Sequence, residues 1–146
     1  KDDEMHGQGT MTWSWGSKYA GEWKHGMPHG QGVETYKSGA KYVGSINNSR
    51  WHGQGTMIWE DGKIYIGQWD EVMREGKIIF TDGETYVGKF KKDGSYDEGT
   101  YTYSDGSKYV GQWKGRLIHG KGTFTHADGR VQKGIWKNNQ LIESQD

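Results

Sequence analysis

One signature returns along this chain at a nearly fixed interval, and it limits the possible folds more than any other feature. Tyr19-Ala20-Gly21-Glu22-Trp23 recurs as Tyr42-Val43-Gly44-Ser45-Ile46, Tyr65-Ile66-Gly67-Gln68-Trp69, Tyr86-Val87-Gly88-Lys89-Phe90 and Tyr109-Val110-Gly111-Gln112-Trp113. A sixth copy, ending in Gly134-Ile135-Trp136, has Gln132 in place of the Tyr. The spacings are 23, 23, 21, 23 and 23 residues. A second Gly follows each full signature (Gly32, Gly55, Gly76, Gly99, Gly122), and a turn Gly follows that (Gly39, Gly62, Gly83, Gly106, Gly129). Self-similarity at this period marks an array whose units bury their apolar faces against neighbours.

Each unit reads as two strands. Tyr, Gly and Trp stand two apart, so a strand places all three on one face. The second strand repeats the pattern with Met11/Trp13, Glu34/Tyr36, Met57/Trp59, Ile78/Phe80, Tyr101/Tyr103 and Phe124/His126, leaving a polar opposite face. Asp61-Gly62, Asp82-Gly83, Asp105-Gly106 and Asp128-Gly129 supply tight-turn chemistry. The fold expected is all-β: an elongated single antiparallel sheet of stacked hairpins. Its boundaries are an N-terminal tail 1–5, an array 6–141 and a C-terminal tail 142–146. The array divides into a partial repeat 6–18, full repeats 19–41, 42–64, 65–85, 86–108 and 109–131, and a partial repeat 132–141.

Composition says what such an array uses for a core. Leu, Ile, Val and Phe supply only 20 of 146 residues, a level associated with disorder. The chain is nevertheless neutral and holds 8 Trp and 9 Tyr, which a disordered chain does not combine. A glycine within a strand weakens it unless another group comes close to the backbone there. The regular Gly21, Gly44, Gly67, Gly88, Gly111 and Gly134 therefore predict an aromatic ring from a neighbouring strand lying over each. Tyr19, Trp23, Tyr42, Tyr65, Trp69, Tyr86, Phe90, Tyr109, Trp113 and Trp136 are the structural residues of that core.

The pattern Tyr-x-Gly-x-Trp, a short loop, His-Gly-x-Gly (His29 to Gly32, His52 to Gly55, His119 to Gly122) and Asp-Gly resembles the MORN repeat, the membrane occupation and recognition nexus. The resemblance implies a twisted, grooved sheet serving as a scaffold or docking surface. Members of the family also occur beside lipid kinases, methyltransferases and membrane-junction proteins. The third repeat departs from the pattern by lacking the His-Gly pair, and the fourth has Tyr96-Asp97 there.

Chemistry is sparse. Equivalent His residues in neighbouring repeats are two strands apart, about 9–10 Å at ordinary strand spacing, whereas zinc needs nitrogens within about 2.1 Å. The His-Gly pair is thus expected to shape its loop. Gly115 to Gly122 falls one residue short of a phosphate-binding loop and precedes no helix, so neither a nucleotide nor any other cofactor is expected. Carboxylates sit at solvated turns, and no Ser or Cys nucleophile stands beside a base. Zero net charge argues against nucleic acid. No apolar run approaches the ~18 residues of a membrane span, and the first residues do not form a signal peptide. A cytoplasmic location is expected, including the cytoplasmic face of a membrane.

Two surfaces remain. Apolar loop residues, Met27-Pro28, Trp51, Val72-Met73, Tyr96 and Leu117-Ile118, either pack loop to loop or face a partner; on the second reading Trp51, Tyr96, Leu117 and Ile118 make contact. The aromatic sheet face is a second partner site, suited to an extended or helical peptide. A basic rim of Lys24, Lys91, Lys92, Lys114, Arg116 and Lys137 is an anion or lipid candidate, offset by Asp70, Glu71, Asp93, Asp97 and Glu98. The leading function is a non-catalytic scaffold for protein binding or self-assembly. A membrane-surface or phosphoinositide-associated module, including one cut from a larger enzyme, is the alternative. The absence of Met at position 1 is expected of a processed or excised fragment.

Overall fold

The computed structural model describes residues 5–145, and among them there are strands and turns but no helix. They fall into two compact units that meet in the chain at residues 72 and 73. The first holds β1 (Gly7–Thr12), β2 (Lys18–Lys24), β3 (Met27–Thr35), β4 (Lys41–Asn47), β5 (Arg50–Ile58) and β6 (Ile64–Asp70). The second holds β7 (Val72–Ile79), β8 (Thr85–Phe90), β9 (Tyr96–Thr102), β10 (Lys108–Lys114), β11 (Leu117–Thr125), β12 (Val131–Lys137) and β13 (Gln140–Ser144). Within each unit every strand pairs antiparallel with the next in chain order, the hairpin architecture expected. The N-terminal tail lies outside the described residues except for Met5. At the other end Glu143 and Ser144 pair with Ile135 and Gly134, so residues 142–144 are strand where a tail was expected.

Two turn chemistries alternate. At one end of the hairpins the chain closes 13–17, 36–40, 59–63, 80–84, 103–107 and 126–130 with one hydrogen-bond pattern; Tyr103 N, for example, donates to Ser107 O at 2.9 Å. Asp61, Asp82, Asp105 and Asp128 each accept from the amide two residues on, at 2.9–3.0 Å. At the other end most hairpins close on two residues, with positive φ at His25/Gly26, Asn48/Ser49 and Asn138/Asn139. That is the backbone twist two-residue hairpins require.

The His-Gly-x-Gly segment is a bulge. Between Gly21↔Gly32 and Trp23↔Pro28, β3 takes four steps against two on β2, and Gly30 sits at φ +92° within it. The amide of Gln31 donates to Glu22 Oε2 at 3.0 Å; Lys121 N to Gln112 Oε1 at 2.9 Å is the same bond four repeats on.

The core differs in one respect from the expected ring-on-glycine packing. Each Tyr lies along its own strand, and its hydroxyl donates to the carbonyl three residues on: Tyr19 to Glu22, Tyr42 to Ser45, Tyr65 to Gln68 and Tyr86 to Lys89, all at 2.8–2.9 Å. To reach that carbonyl the ring crosses the paired glycines of its own hairpin, so Cβ atoms at Gly32, Gly55 or Gly122 would overlap Tyr19, Tyr42 or Tyr109. At Gly21, Gly44, Gly88 and Gly111 themselves, what comes close is the backbone of the paired strand and the hydroxyl of the same strand's Tyr, in place of the expected ring from a neighbouring strand. The Trp links repeats: Trp23, Trp69, Trp113 and Trp136 donate Nε1–H to the carbonyls of Gly9, Gly55, Gly99 and Gly122, at 2.9–3.2 Å. Trp69 meets its own Tyr65 edge-on at 5.1 Å and the preceding Tyr42 at 5.6 Å. This geometry lets a chain poor in aliphatic residues bury a core.

Candidate functional site

The second strand of each hairpin places a further row of side chains beside the Tyr/Trp core. In the second unit that row is a line of half-buried rings. Phe80, Tyr101, Tyr103, Phe124 and His126 follow one another at centroid distances of 5.9, 4.7, 5.8 and 4.7 Å. With Tyr96 and Trp113, the first four of these rings line an open groove of about 630 Å³.

The groove has two chemically distinct ends. At the Asp-Gly turns, Glu84 accepts from Tyr101 Oη at 2.6 Å and from Ser104 N at 2.9 Å, with Asp105 nearby. At the loop end the Arg116 guanidinium lies 5.1 Å from the Tyr96 ring centroid, a cation–π distance. Burial, and then the Glu84 carboxylate, push the Tyr101 phenol well above its ordinary pKa. Burial likewise raises Tyr103 to about 12, with Glu84 adding to the shift. These phenols remain neutral donors at physiological pH. A wide aromatic surface with a few fixed polar groups is suited to holding a chain segment.

The loop residues that alone suggested a partner surface prove to share a structural slot. Pro28, Trp51, Tyr96, Ile118 and Leu141 stand opposite Trp23, Ile46, Phe90, Trp113 and Trp136 in the strand register. Tyr96 and Ile118 are buried there, as core residues that also line the groove. Tyr96 stacks on Tyr86 with centroids 4.0 Å apart and planes 7° apart. Trp51 occupies the same slot over Tyr42 at 5.5 Å, half-buried, with Nε1 donating to Glu34 Oε1 at 2.8 Å. Leu117 is exposed.

Lys24, Lys91, Lys92, Lys114, Arg116 and Lys137 are all exposed. In the second unit Lys91 and Lys92, Lys114 and Arg116, and Lys137 stand in or directly before the successive connections β8–β9, β10–β11 and β12–β13, hence on one rim. In the first unit a smaller polar hollow of about 410 Å³ lies between hairpin tips. Arg50 pairs with Glu71 at 2.5 Å there, and His52 approaches Asp70 at 3.9 Å. His29 and His119, in equivalent bulges, each keep Nδ1 buried without a hydrogen-bond partner. Among the described residues no cluster of three or more metal-ligating side chains occurs.

Sequence reasoning missed two features. The face opposite the rings is not purely polar: Val43 and Ile66 in the first unit, and Val87 and Val110 in the second, are exposed along it. Their positions directly after each Tyr were the available signal. Glu84, read as a solvated turn carboxylate, instead anchors Tyr101, a contact 17 residues away that no local pattern announces.

The family model for the MORN repeat matches residues 1–18, 19–41, 42–64, 98–108 and 109–129. No curated protein sequence matches the chain. Among solved structures it is similar to the TCP domain of SAS-4 (dCPAP) of Drosophila melanogaster, determined in complex with a proline-rich motif of Ana2 (dSTIL). That similarity has a TM-score of 0.49 and 14% identity, over 88% of this chain and 77% of the other.

Proposed function

The chain belongs to the MORN-repeat family, and from that premise we propose that it is a non-catalytic protein-binding scaffold whose docking surface is the aromatic groove of its second unit. The observation that carries this reading is the unbroken line of half-buried rings from Phe80 to Phe124 over about 630 Å³, bounded by Glu84 at one end and Arg116 at the other. The groove is open along its length, so it fits an extended or helical peptide better than a compact metabolite. Tyr and Trp are also the side chains that dominate binding hot spots.

A random peptide display library panned against the intact chain tests the reading. Binders are expected to emerge, and Phe124→Ala is expected to weaken them at least tenfold while circular dichroism stays native. Failure to enrich any binder, or binders indifferent to Phe124→Ala and to a second groove substitution, Ser104→Arg, would refute it.

The exposed cations of the second unit's rim support a second reading, attachment to an anionic membrane surface. Polybasic surfaces gain about 1 kcal/mol per Lys or Arg close to such a membrane. Salt-sensitive sedimentation with phosphatidylserine vesicles, weakened by Lys114→Glu/Lys137→Glu, is the outcome this reading requires. A chain that stays in the supernatant at low salt excludes it.

A further inference from the structure

The turns at the Asp-Gly end share one backbone geometry, and in five of the six a side chain fastens it. Four use the Asp bonds described above, and in the turn 36–40 Ser38 Oγ accepts from Ala40 N at 3.2 Å. In the first turn, 13–17, that position is Trp15. The turn itself is unchanged, with Trp13 N donating to Ser17 O at 2.8 Å and Gly16 N to Trp13 O at 3.0 Å. An indole accepts no hydrogen bond, so the fastening is given up at this turn. In exchange a ring is presented to solvent, 62% exposed and stacked on Trp13 at 5.7 Å. A residue that breaks a local rule without a gain to the fold is a mark of function.

The first two turns carry only cations, with Glu34 and Glu60 the nearest carboxylates beside them. Residues 13–18 and 36–41, the first two turns and the first strand residue after each, contain Lys18, Lys37 and Lys41 and no carboxylate; all three lysines are exposed. The matching end of the second unit is mixed, with Lys108 and Arg130 beside its carboxylates, but its acids concentrate at the groove. There Asp82, Glu84 and Asp105 gather, and Glu84 and Asp105 border the mouth of the aromatic groove. A protruding aromatic beside cations and the end of an aromatic groove that carries Glu84 and Asp105 are complementary in both shape and charge.

We propose that one occupant of the groove is the Trp15 tip of a second copy of this chain, with Lys18 and Lys37 facing Glu84 and Asp105; this rests on the groove being a binding site. The contact joins different surfaces on the two copies. It is therefore heterologous and propagates head to tail, into a closed ring or an open chain. A single ring and a few exposed charges make a small interface, in the class of weak, transient contacts. Its exposed charge pairs make it sensitive to salt.

Sedimentation velocity over a concentration series, at about 50 mM and about 500 mM salt, reads this directly. The weight-average mass of the intact chain is expected to climb with concentration at low salt and to return toward the monomer at high salt. Trp15→Ala and Ser104→Arg each remain monomeric, the first lacking the tip and the second carrying a cation in the groove. Mixed together they form dimers, about twice the monomer mass, and nothing larger, because only one productive interface exists in the mixture. Self-association of Trp15→Ala equal to that of the parent overturns the proposal, as does a mixture that stays monomeric. A parent chain that binds the display-selected peptides yet sediments as a monomer at all concentrations sinks this proposal and leaves the groove reading standing. A parent that does neither sinks both. Salt-sensitive binding of phosphatidylserine vesicles that is lost in Trp15→Ala, without self-association, assigns the tip to a lipid surface and overturns docking between copies.

Discussion

Replacing Gly55 by Ala isolates the contact on which each hairpin depends. The added Cβ would overlap the Tyr42 ring, with Cε1 2.5 Å away, and Tyr42 has no exposed surface through which to yield. Its hydroxyl is also fixed, donating to Ser45 O at 2.8 Å. Gly55 is not among the residues with positive φ, so the cost arises from the collision and not from the backbone. Overpacking a core by one carbon costs about 1–3 kcal/mol, and a displaced hydroxyl forfeits about 0.5–1.5 kcal/mol of hydrogen bonding. The expected loss is therefore about 2–4 kcal/mol, read as the shift in urea unfolding free energy. Gly83→Ala is the counterpart: φ +91° and nothing within 4 Å, so it meets only backbone strain, about 1–2 kcal/mol. A double-mutant cycle separates the causes. Tyr42→Ala alone should cost about 3–5 kcal/mol, but in its presence Gly55→Ala should cost at least about 1 kcal/mol less than it does alone. Additive losses would show that the ring does not rest on Gly55, and the packing account would fail.

Three further outcomes follow from the same geometry. Trp69→Ala should lower stability by about 3–5 kcal/mol, because its ring touches Tyr42, Trp51 and Tyr65 and its indole bonds Gly55 O; an unchanged urea midpoint would contradict the inter-repeat role. Trp51→Ala should cost about 2–4 kcal/mol, since it strips a ring from Tyr42 and one of two donors from Glu34; a neutral melt would return Trp51 to the surface. Burial raises Tyr42 and Tyr109 to about 12, so the native state keeps protons that the unfolded chain releases near pH 10. Their contribution is complete below pH 10 and lost as pH rises through about 12. Phenolate absorbance should thus appear together with loss of the β-sheet signal, and smooth ionisation near pH 10 with the fold intact would refute the burial.

The repeats, the strand faces and the Asp-Gly turns were legible because they depend on residues two to four apart. Tyr19, Gly21 and Trp23 share a face by strand geometry alone, and Asp105 fastens its own turn. Contacts that span a hairpin or a repeat were not legible. Tyr96 and Ile118 look like loop residues until the register sets them opposite Phe90 and Trp113, where they are buried. The direction of the Tyr19 ring likewise depends on a hydroxyl finding Glu22 O, which alternation cannot reveal. The groove was legible only in outline: its rings followed from Phe80, Tyr101, Tyr103 and Phe124, while its charged ends, Glu84 and Arg116, required coordinates.

The claim that the second unit's aromatic groove is the docking surface meets its most direct test in the indole N–H spectrum of the ¹⁵N-labelled chain, titrated with a display-selected peptide. The Trp113 indole, which lines the groove, should shift in proportion to occupancy, while Trp23 and Trp69 of the first unit stay in place. Shifts confined to Trp51 or to the first unit, with Trp113 unmoved at saturation, would place binding elsewhere and contradict the account.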